Sequence, residues 1–213
     1  MHQSIPEPTI GRLARYLRCL RAALNEGVEM VSSAGMGERT GVPSAQVRKD
    51  LSYFGEFGKP GLGYAVEPLL AHLTGIMGLE KEQGVVIVGA GNLGTALAGY
   101  VGFPAMGFRV VAVFDNNYAK IGRRVWELEI QDVYSLPQVN RALGVEIGLI
   151  TTPAEAAQEV AGIMVEAGIR GILNFTPGRV NVPEGIVARH VDLTRELEVL
   201  SFHLARTQQG TRR

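Results

Sequence analysis

The stretch Val85-Val-Ile-Val-Gly-Ala-Gly-Asn-Leu-Gly94 decides the fold of this chain. Its four consecutive aliphatic residues are typical of a strand that is buried on both faces of a parallel sheet. The Gly-x-Gly-x-x-Gly pattern that follows leads into the helical stretch Thr95-Ala-Leu-Ala98. Glycines at these positions permit a tight turn and close helix packing, and the helix N-terminus attracts a pyrophosphate. We therefore predict an α/β fold with a Rossmann-like, doubly wound parallel sheet.

A second apolar run, Arg109-Val-Val-Ala-Val-Phe114, ends at Asp115. An acid about 20 residues after the glycine motif accepts hydrogen bonds from the adenosine ribose and repels a 2′-phosphate. The spacing therefore favours NAD(H) over NADP(H), and Lys120 nearby makes that preference moderate. The predicted cofactor-binding residues in this half are Gly89, Ala90, Gly91, Asn92, Leu93, Gly94 and Asp115.

Two further apolar runs, 147–151 and 171–175, predict additional strands of the same sheet. In an open α/β sheet, ligands bind beyond the carboxyl ends of the strands. Ordinary turn or capping chemistry is an equal alternative for Thr151 and Asn174. On the first interpretation, the nicotinamide half of the site is bordered by Thr151, Thr152, Pro153, Asn174 and Phe175.

A second signature, Ser44-Ala-Gln-Val-Arg-Lys-Asp-Leu-Ser-Tyr-Phe54, predicts a DNA-recognition helix. A short helix capped by Ser32 or Ser33 precedes it, and Gly41 marks the turn between the two. This is the helix-turn-helix plan, whose second helix enters the major groove. A compact helical module with a charged third helix is the alternative.

The glycine-rich, aromatic-flanked segment 57–64 predicts a β-hairpin wing next to the recognition helix. A first helix, for which Thr9 can act as the cap, is expected to run to about Glu26, and a closing helix spans 68–79. The residues predicted to contact DNA are Arg12, Ser44, Gln46, Arg48, Lys49, Ser52, Tyr53 and Lys59.

The length of the chain suits two small domains, or one of ordinary size with an appendage. The chain has 213 residues with 21 basic and 21 acidic side chains, so DNA binding must depend on a local basic patch. We predict a winged helix-turn-helix domain at 1–80, a Rossmann domain at 84–192 and a dimerisation helix at 193–207. No apolar stretch approaches the roughly 20 residues that span a bilayer, which favours a cytoplasmic protein without a membrane partner.

The predicted nucleotide site lacks the marks of an enzyme. No Tyr is followed four residues later by Lys, the four His lie apart, no metal-ligand spacing is present, and little room remains for a substrate domain. We therefore expect cofactor binding without turnover, no catalytic residue and no metal. The alternatives are a small NAD-dependent oxidoreductase with an N-terminal oligomerisation module, and a DNA-binding protein whose Rossmann domain binds CoA.

The chain resembles the Rex family of redox-sensing transcriptional repressors. The matching segments are 45–55, 58–64, 88–94, 98–100, 171–175 and the helix after Asp192. The resemblance implies a homodimer that exchanges its C-terminal helices, binds an inverted-repeat operator when NAD⁺ is abundant and is released by NADH. The apolar stripe of that helix, Leu193, Leu197, Leu200 and Leu204, must be buried on its own domain or on a partner.

The same resemblance implies a switch. Tyr100 is the residue that rearranges near the nicotinamide, and Arg18 forms an ion pair with Asp192 in the DNA-competent state. A core aromatic and a plain N-cap are the respective alternatives for Tyr100 and Asp192. The chain departs from the family in its second helix, Ala34-Gly-Met-Gly-Glu-Arg39, where each glycine costs roughly 0.5–1 kcal/mol relative to alanine. The length of that helix, and with it operator affinity, is therefore open.

Overall fold

The computed structural model of the protein describes residues 5–59 and 61–210. The chain divides into two units, Met1–Lys81 and Glu82–Arg213. Pro60, at the tip of the predicted wing, lies outside the described residues.

The described part of the first unit contains four helices and a small antiparallel sheet. The helices are α1 (Glu7–Asn25), α2 (Ser33–Thr40), α3 (Ser44–Ser52) and α4 (Val66–Ile76). The strands are β1 (Met30–Val31), β2 (Gly58–Lys59) and β3 (Gly63–Ala65), in the order β1-β3-β2. Strands β2 and β3 form the predicted hairpin wing, which is confirmed. Strand β1 was not predicted, because two residues carry no readable alternation.

The turn between α2 and α3 depends on glycine. Ser32 caps α2 as predicted, since its Oγ accepts a hydrogen bond from the backbone N–H of Gly35. Gly41 ends the helix in the left-handed conformation with a φ of +68°. A Cβ at position 37 would lie 2.6 Å from the carbonyl oxygen of Val42, so Gly37 allows the chain to return closely past α2. Helix α2 therefore forms over eight residues, and one of its two glycines is a packing requirement.

The expected cap of α1 was wrong. The helix begins at Glu7 after Pro6, with Pro8 in its first turn, where a missing N–H is tolerated. Thr9 lies inside the helix and is buried. Its hydroxyl donates a hydrogen bond to Asp50 of α3 at 3.2 Å, so it joins the two helices instead of capping one.

The second unit is built on a seven-stranded sheet. Its strands are β4 (Gln83–Val88), β5 (Phe108–Asp115), β6 (Arg124–Val125), β7 (Leu128–Asp132), β8 (Ile147–Ile150), β9 (Gly171–Asn174) and β10 (Val187–His190). The order is β10-β9-β8-β4-β5-β7-β6, parallel throughout except for β6. Because the chain leaves β4 in both directions across the sheet, the predicted doubly wound architecture is confirmed.

Helices connect these strands and follow the last one. They are α5 (Asn92–Ala98), α6 (Gly102–Ala105), α7 (Leu136–Leu143), α8 (Ala157–Glu166) and α9 (Leu193–Gly210). Buried aliphatic side chains of β4, β5 and β8 form the centre of the core. Among the described residues, no helix is both long and apolar enough to cross a bilayer.

Five elements of this unit were not predicted: α6, β6, β7, α7 and β10. Helix α6 and strand β6 contain only four and two residues. Strand β7 has polar residues on both faces, α7 is short, and all four residues of β10 are exposed, so none of them gives an apolar run. The apolar stripe of α9 was predicted, and each of its four leucines is more than half exposed in the single chain.

A pair of substitutions tests the glycines of α2. We expect Gly37→Ala to destabilise the protein by more than 1 kcal/mol, because a backbone carbonyl stands 2.6 Å from the new Cβ. Gly35→Ala is the matched control. Its Cβ meets only side-chain atoms at 3.5 Å or more, so a gain of about 0.5 kcal/mol is expected. Urea unfolding measures both changes, and equal effects would contradict the packing role of Gly37.

Candidate functional site

The glycine-rich loop between β4 and α5 is shaped by two of its three glycines. Gly89 has a φ of +110°, and a Cβ there would lie 2.7 Å from the carbonyl carbon of Thr151. A Cβ at Gly94 would collide with the carbonyl oxygen of Gly89, so α5 starts directly against the end of β4. At Gly91, by contrast, no described atom lies within 4 Å of the Cβ position. The loop is therefore closely packed at both ends and open in the middle.

A cavity of about 460 Å³ lies beside this loop, at the carboxyl ends of β4, β5 and β8. It brings together six of the predicted cofactor residues: Gly89, Gly91, Asp115, Thr151, Thr152 and Pro153. It is also lined by Lys120, which the sequence placed near Asp115. The lining residues that were not predicted for this site are Val88, Asn116, Asn117, Val133, Tyr134, Ala156, Glu159, Val160 and Ile163. Several of these residues lie on or beside β7 and α8. Their place in the cavity depends on how α8 packs, so no local sequence pattern predicts it.

Asp115 is the charged centre of the cavity. Its carboxylate is buried and accepts hydrogen bonds from the backbone N–H of Ala90 at 2.8 Å, from the N–H of Asn117 at 2.8 Å and from Lys120 Nζ at 2.9 Å. Burial raises the pKa of Asp115, but these three donors outweigh it, so the net pKa lies below its ordinary value. An ionised carboxylate therefore connects the end of β5 to the glycine-rich loop.

Two neighbouring threonines of the cavity differ in their partners. Thr151 Oγ1 donates to the carbonyl oxygens of Val88 and Gly89, and so fixes the end of β8 to the loop. Thr152 Oγ1 is buried and has no hydrogen-bond partner within residues 5–59 and 61–210. Buried hydroxyls almost always have a hydrogen-bond partner. Thr152 Oγ1 is therefore a candidate to form a hydrogen bond with a ligand.

Other predicted cofactor residues lie elsewhere. Asn92 and Leu93 form the first turn of α5. The structure does not bring Tyr100 into the cavity, because it follows the far end of α5, where it is 54% exposed and packs edge-on against Phe103. Asn174 is buried at the end of β9, and its side-chain oxygen accepts from the N–H and hydroxyl of Thr176, which is turn chemistry. Phe175 packs against the apolar core of the sheet.

Trp126 packs against α5, and no sequence pattern pointed to this residue. It occupies the turn between β6 and β7 with a φ of +54°, a conformation that bulky residues rarely adopt. Its indole N–H donates to the carbonyl oxygen of Thr95 at 3.2 Å. A Cβ at Gly99 would fall into its ring. The indole therefore covers the last turn of α5.

The outer face of α3 carries the predicted DNA-contacting side chains. Arg48, Lys49 and Ser52 are exposed, and Val47 and Leu51 face inward as expected. Arg48 Nη1 donates to Ser33 Oγ of α2 at 2.8 Å. The predicted set also includes Ser44 and Tyr53, which are half-buried at the ends of the helix, and Lys59, which is exposed on the wing.

Asp50, on the inner face of α3, holds this helix to α1. It is fully buried, and Arg12 binds it in a bidentate pair with distances of 2.5 and 2.8 Å. Tyr16 and Gln46 donate to the same carboxylate at 2.7 and 2.8 Å. Burial raises the pKa of Asp50, but the hydrogen bonds from Arg12, Tyr16 and Gln46 outweigh it and the net pKa is lowered. Arg12, predicted as a DNA contact, thus has a structural partner.

The pH dependence of stability tests the Asp50 cluster. Its folded pKa lies below the unfolded value of about 3.9, so its contribution is complete above that pH and is lost as the pH falls through the folded pKa. Asp50→Asn is expected to be less stable than the unaltered protein at pH 7. As the pH falls from 7 to 3, its free energy of unfolding, measured with denaturant, is expected to decrease less than that of the unaltered protein. Glu38→Gln, at an exposed α2 carboxylate, is the control. Parallel curves for Asp50→Asn and the unaltered protein would contradict the assignment.

Comparisons with known proteins extend over the whole chain. A redox-sensing transcriptional repressor Rex from Carboxydothermus hydrogenoformans is 51% identical over 202 residues, which are 95% of this chain and 97% of the relative. Rex 1 from Thermotoga maritima is 45% identical over 97% of this chain and 99% of its own. Two family models match parts of the chain: the CoA binding domain at residues 80–178 and a DNA-binding protein N-terminus at residues 4–52.

Solved structures agree with these relatives. RSP, a Rex-family repressor, was crystallised with β-NAD⁺ and operator DNA; it has a TM-score of 0.90 and 36% identity, covering 99% of this chain and 97% of its own. RSP in complex with β-NADH has a TM-score of 0.86 and 34% identity, with 99% of both chains covered. Sequence and structure thus agree along nearly the full length, and the chain belongs to the Rex family of redox-sensing transcriptional repressors.

Proposed function

We propose that this protein binds operator DNA as a homodimer and releases it when NADH occupies the cavity beside Gly91. The observation that carries the proposal is an open glycine-rich loop whose Ala90 N–H donates to an ionised Asp115 at the end of β5, on the same chain as a winged helix-turn-helix. Its relatives are repressors, and RSP was solved with both NAD⁺ and operator DNA. We therefore favour a sensor over the alternative of a small oxidoreductase.

The cavity fits a dinucleotide. The open space at Gly91, at the N-terminus of α5, suits a pyrophosphate, which the loop N–H groups and the helix end would hold. Asp115 would accept hydrogen bonds from the adenosine ribose, and Thr152 would gain the partner that it lacks in the described chain. A carboxylate at this position disfavours a 2′-phosphate, and the Lys120 beside it makes that preference moderate. Complexes of RSP with both oxidation states support NAD⁺ and NADH as the ligands.

The DNA interface consists of α3 and the wing. Despite a net charge of zero, the exposed Arg48 and Lys49 on α3 and Lys59 on β2 supply a local basic surface. Phosphate contacts would position the helix and its polar side chains would read base edges. A two-fold symmetric dimer places two such helices on the half-sites of an inverted repeat. A repressor acts on the chromosome, so we propose a cytoplasmic location.

Helix α9 is the proposed dimerisation element. Its leucines are 58–65% exposed in the single chain, although an apolar stripe of this kind is normally buried. Asp192 caps the helix, since its Oδ1 accepts from the N–H groups of Thr194 and Arg195. We propose that the stripe packs on a second copy as an exchanged helix. The ion pair of Arg18 with Asp192 and the rearrangement of Tyr100 belong to the same dimer hypothesis.

Release of DNA requires that NADH favour the arrangement that does not bind DNA more than NAD⁺ does. A ligand that binds both arrangements equally does not change their ratio. The nicotinamide ring is positively charged when oxidised and neutral when reduced. An apolar surround with Pro153 on one side would favour the neutral ring, since an unpaired buried charge is costly. By linkage, operator DNA must weaken NADH binding by the same factor.

An operator titration tests the proposed sensing. We expect the fraction of bound operator, measured by fluorescence anisotropy, to fall as the NADH/NAD⁺ ratio rises at constant total cofactor. Titration of NADPH is the control, and a weaker response is expected because Asp115 repels its 2′-phosphate. A flat response to the ratio would contradict the proposal, as would release by CoA, which the family match at residues 80–178 makes the second candidate ligand.

The substitution Gly91→Ala separates binding from folding. The backbone there has a φ of −84° and no described atom lies within 4 Å of the new Cβ, so stability is expected to change by less than about 0.5 kcal/mol. The methyl group would occupy the space proposed for the pyrophosphate, so NADH affinity measured by calorimetry is expected to fall at least tenfold. The matched control is Gly162→Ala on the exposed side of α8, which also meets no described atom. Unchanged NADH affinity in Gly91→Ala would contradict the assigned site.

A further inference from the structure

We propose that Asp50 sets the base preference of the protein by fixing the orientation of the Gln46 side-chain amide, so that Gln46 selects adenine in each half-site. The inference rests on the proposed function as an operator-binding protein. It adds a positioning residue, Asp50, and a specificity-determining residue, Gln46, to the recognition helix.

The geometry of the pair fixes which end of the amide faces Asp50. Gln46 lies one helical turn before Asp50, and its Nε2 donates to Asp50 Oδ1 at 2.8 Å. In the part of the chain that the structure describes, this is the one hydrogen bond of the Gln46 side chain. An ionised carboxylate only accepts hydrogen bonds, so a flipped amide would place two oxygens against each other. The carbonyl oxygen and the second N–H of Gln46 therefore remain available.

The carboxylate that orients Gln46 is itself immobilised. Arg12 binds it in a bidentate pair, and Tyr16 donates to Oδ2 at 2.7 Å, both from α1. Asp50 is fully buried, so water does not compete for its oxygens. The rotamer freedom that a glutamine normally loses on binding is thus already restricted before DNA arrives.

The position of Gln46 on α3 places this amide where bases are read. It is the third residue of the helix, half-buried at the border between the inner face of Val47 and the outer face of Lys49. In helix-turn-helix proteins the N-terminal residues of the recognition helix contact base edges in the major groove.

The remaining hydrogen-bonding groups match one base. Adenine offers an N7 acceptor and an N6 donor, which one N–H and one carbonyl oxygen satisfy together. Guanine offers two acceptors, N7 and O6, and O6 would face the carbonyl oxygen of Gln46. With its other N–H held by Asp50, Gln46 cannot supply two donors on that edge. Discrimination of roughly 5- to 150-fold is expected at one position of each half-site.

The test is DNA selection from a randomised library by the full-length protein, followed by affinity measurements on every single-base variant of the selected site. The unaltered protein is expected to prefer adenine at one position of each half-site. In Gln46→Ala that preference is expected to fall below about threefold while preferences elsewhere stay unchanged. The control Gln138→Ala, on an exposed position of α7, is expected to retain all of them.

The role of Asp50 is tested by the adenine preference at the same base position of the half-site. Asp50→Asn, with folding checked by thermal melting, is expected to weaken the adenine preference, and combining it with Gln46→Ala is expected to add no further loss. If Asp50→Asn does not fold, Arg12→Lys replaces it with the same expectation, because lysine keeps the charge but loses the bidentate grip.

The contradicting outcomes are distinct. An equal loss of affinity for all sequences in Gln46→Ala, or an unchanged adenine preference, would overturn the reading role of Gln46. A preference that survives both Asp50→Asn and Arg12→Lys would overturn the positioning role of Asp50. Failure of the unaltered protein to select any sequence would overturn the proposed function, and this inference with it.

Discussion

The nucleotide-binding unit depends on the close approach of two backbones, at Gly89 and Gly94. A side chain at position 94 would collide with the carbonyl oxygen of Gly89. Only glycine at this position lets α5 start against the end of β4. Gly89 in turn lies against the backbone of Thr151 at the end of β8. The cavity walls follow from this, because both strand ends and the helix N-terminus are brought to the same loop.

The DNA-binding unit depends on a different kind of contact. Its helix α3 carries a buried charge, Asp50, whose oxygens are satisfied by side chains of α1 and of α3 itself. Removing one partner of a buried ion pair leaves the other unpaired, which typically costs about 3–5 kcal/mol. The orientation of α3 relative to α1 is therefore specified by hydrogen bonds as well as by apolar packing.

The sequence predicted those parts of the molecule that leave a local pattern. The apolar runs of β4, β5, β8 and β9, the glycine spacing and the α3 signature are all local, and the fold class followed from them. It did not predict β7 or β10, whose residues show no apolar run or alternation. The partners of Arg12 were also missed, since a bond between residues 12 and 50 depends on how two helices pack. Tyr100 likewise lies away from the cavity in the single chain, a separation that motif matching does not show.

The indole of Trp126 has a practical consequence. It is the one tryptophan of the sequence, and it lies over Gly99 while its N–H meets the carbonyl oxygen of Thr95. Tryptophan emission from this protein therefore comes from a single, defined place on the helix that begins at the glycine-rich loop. Reduced nicotinamide absorbs in the range in which indole emits. Quenching of the Trp126 emission would therefore report the binding of NADH.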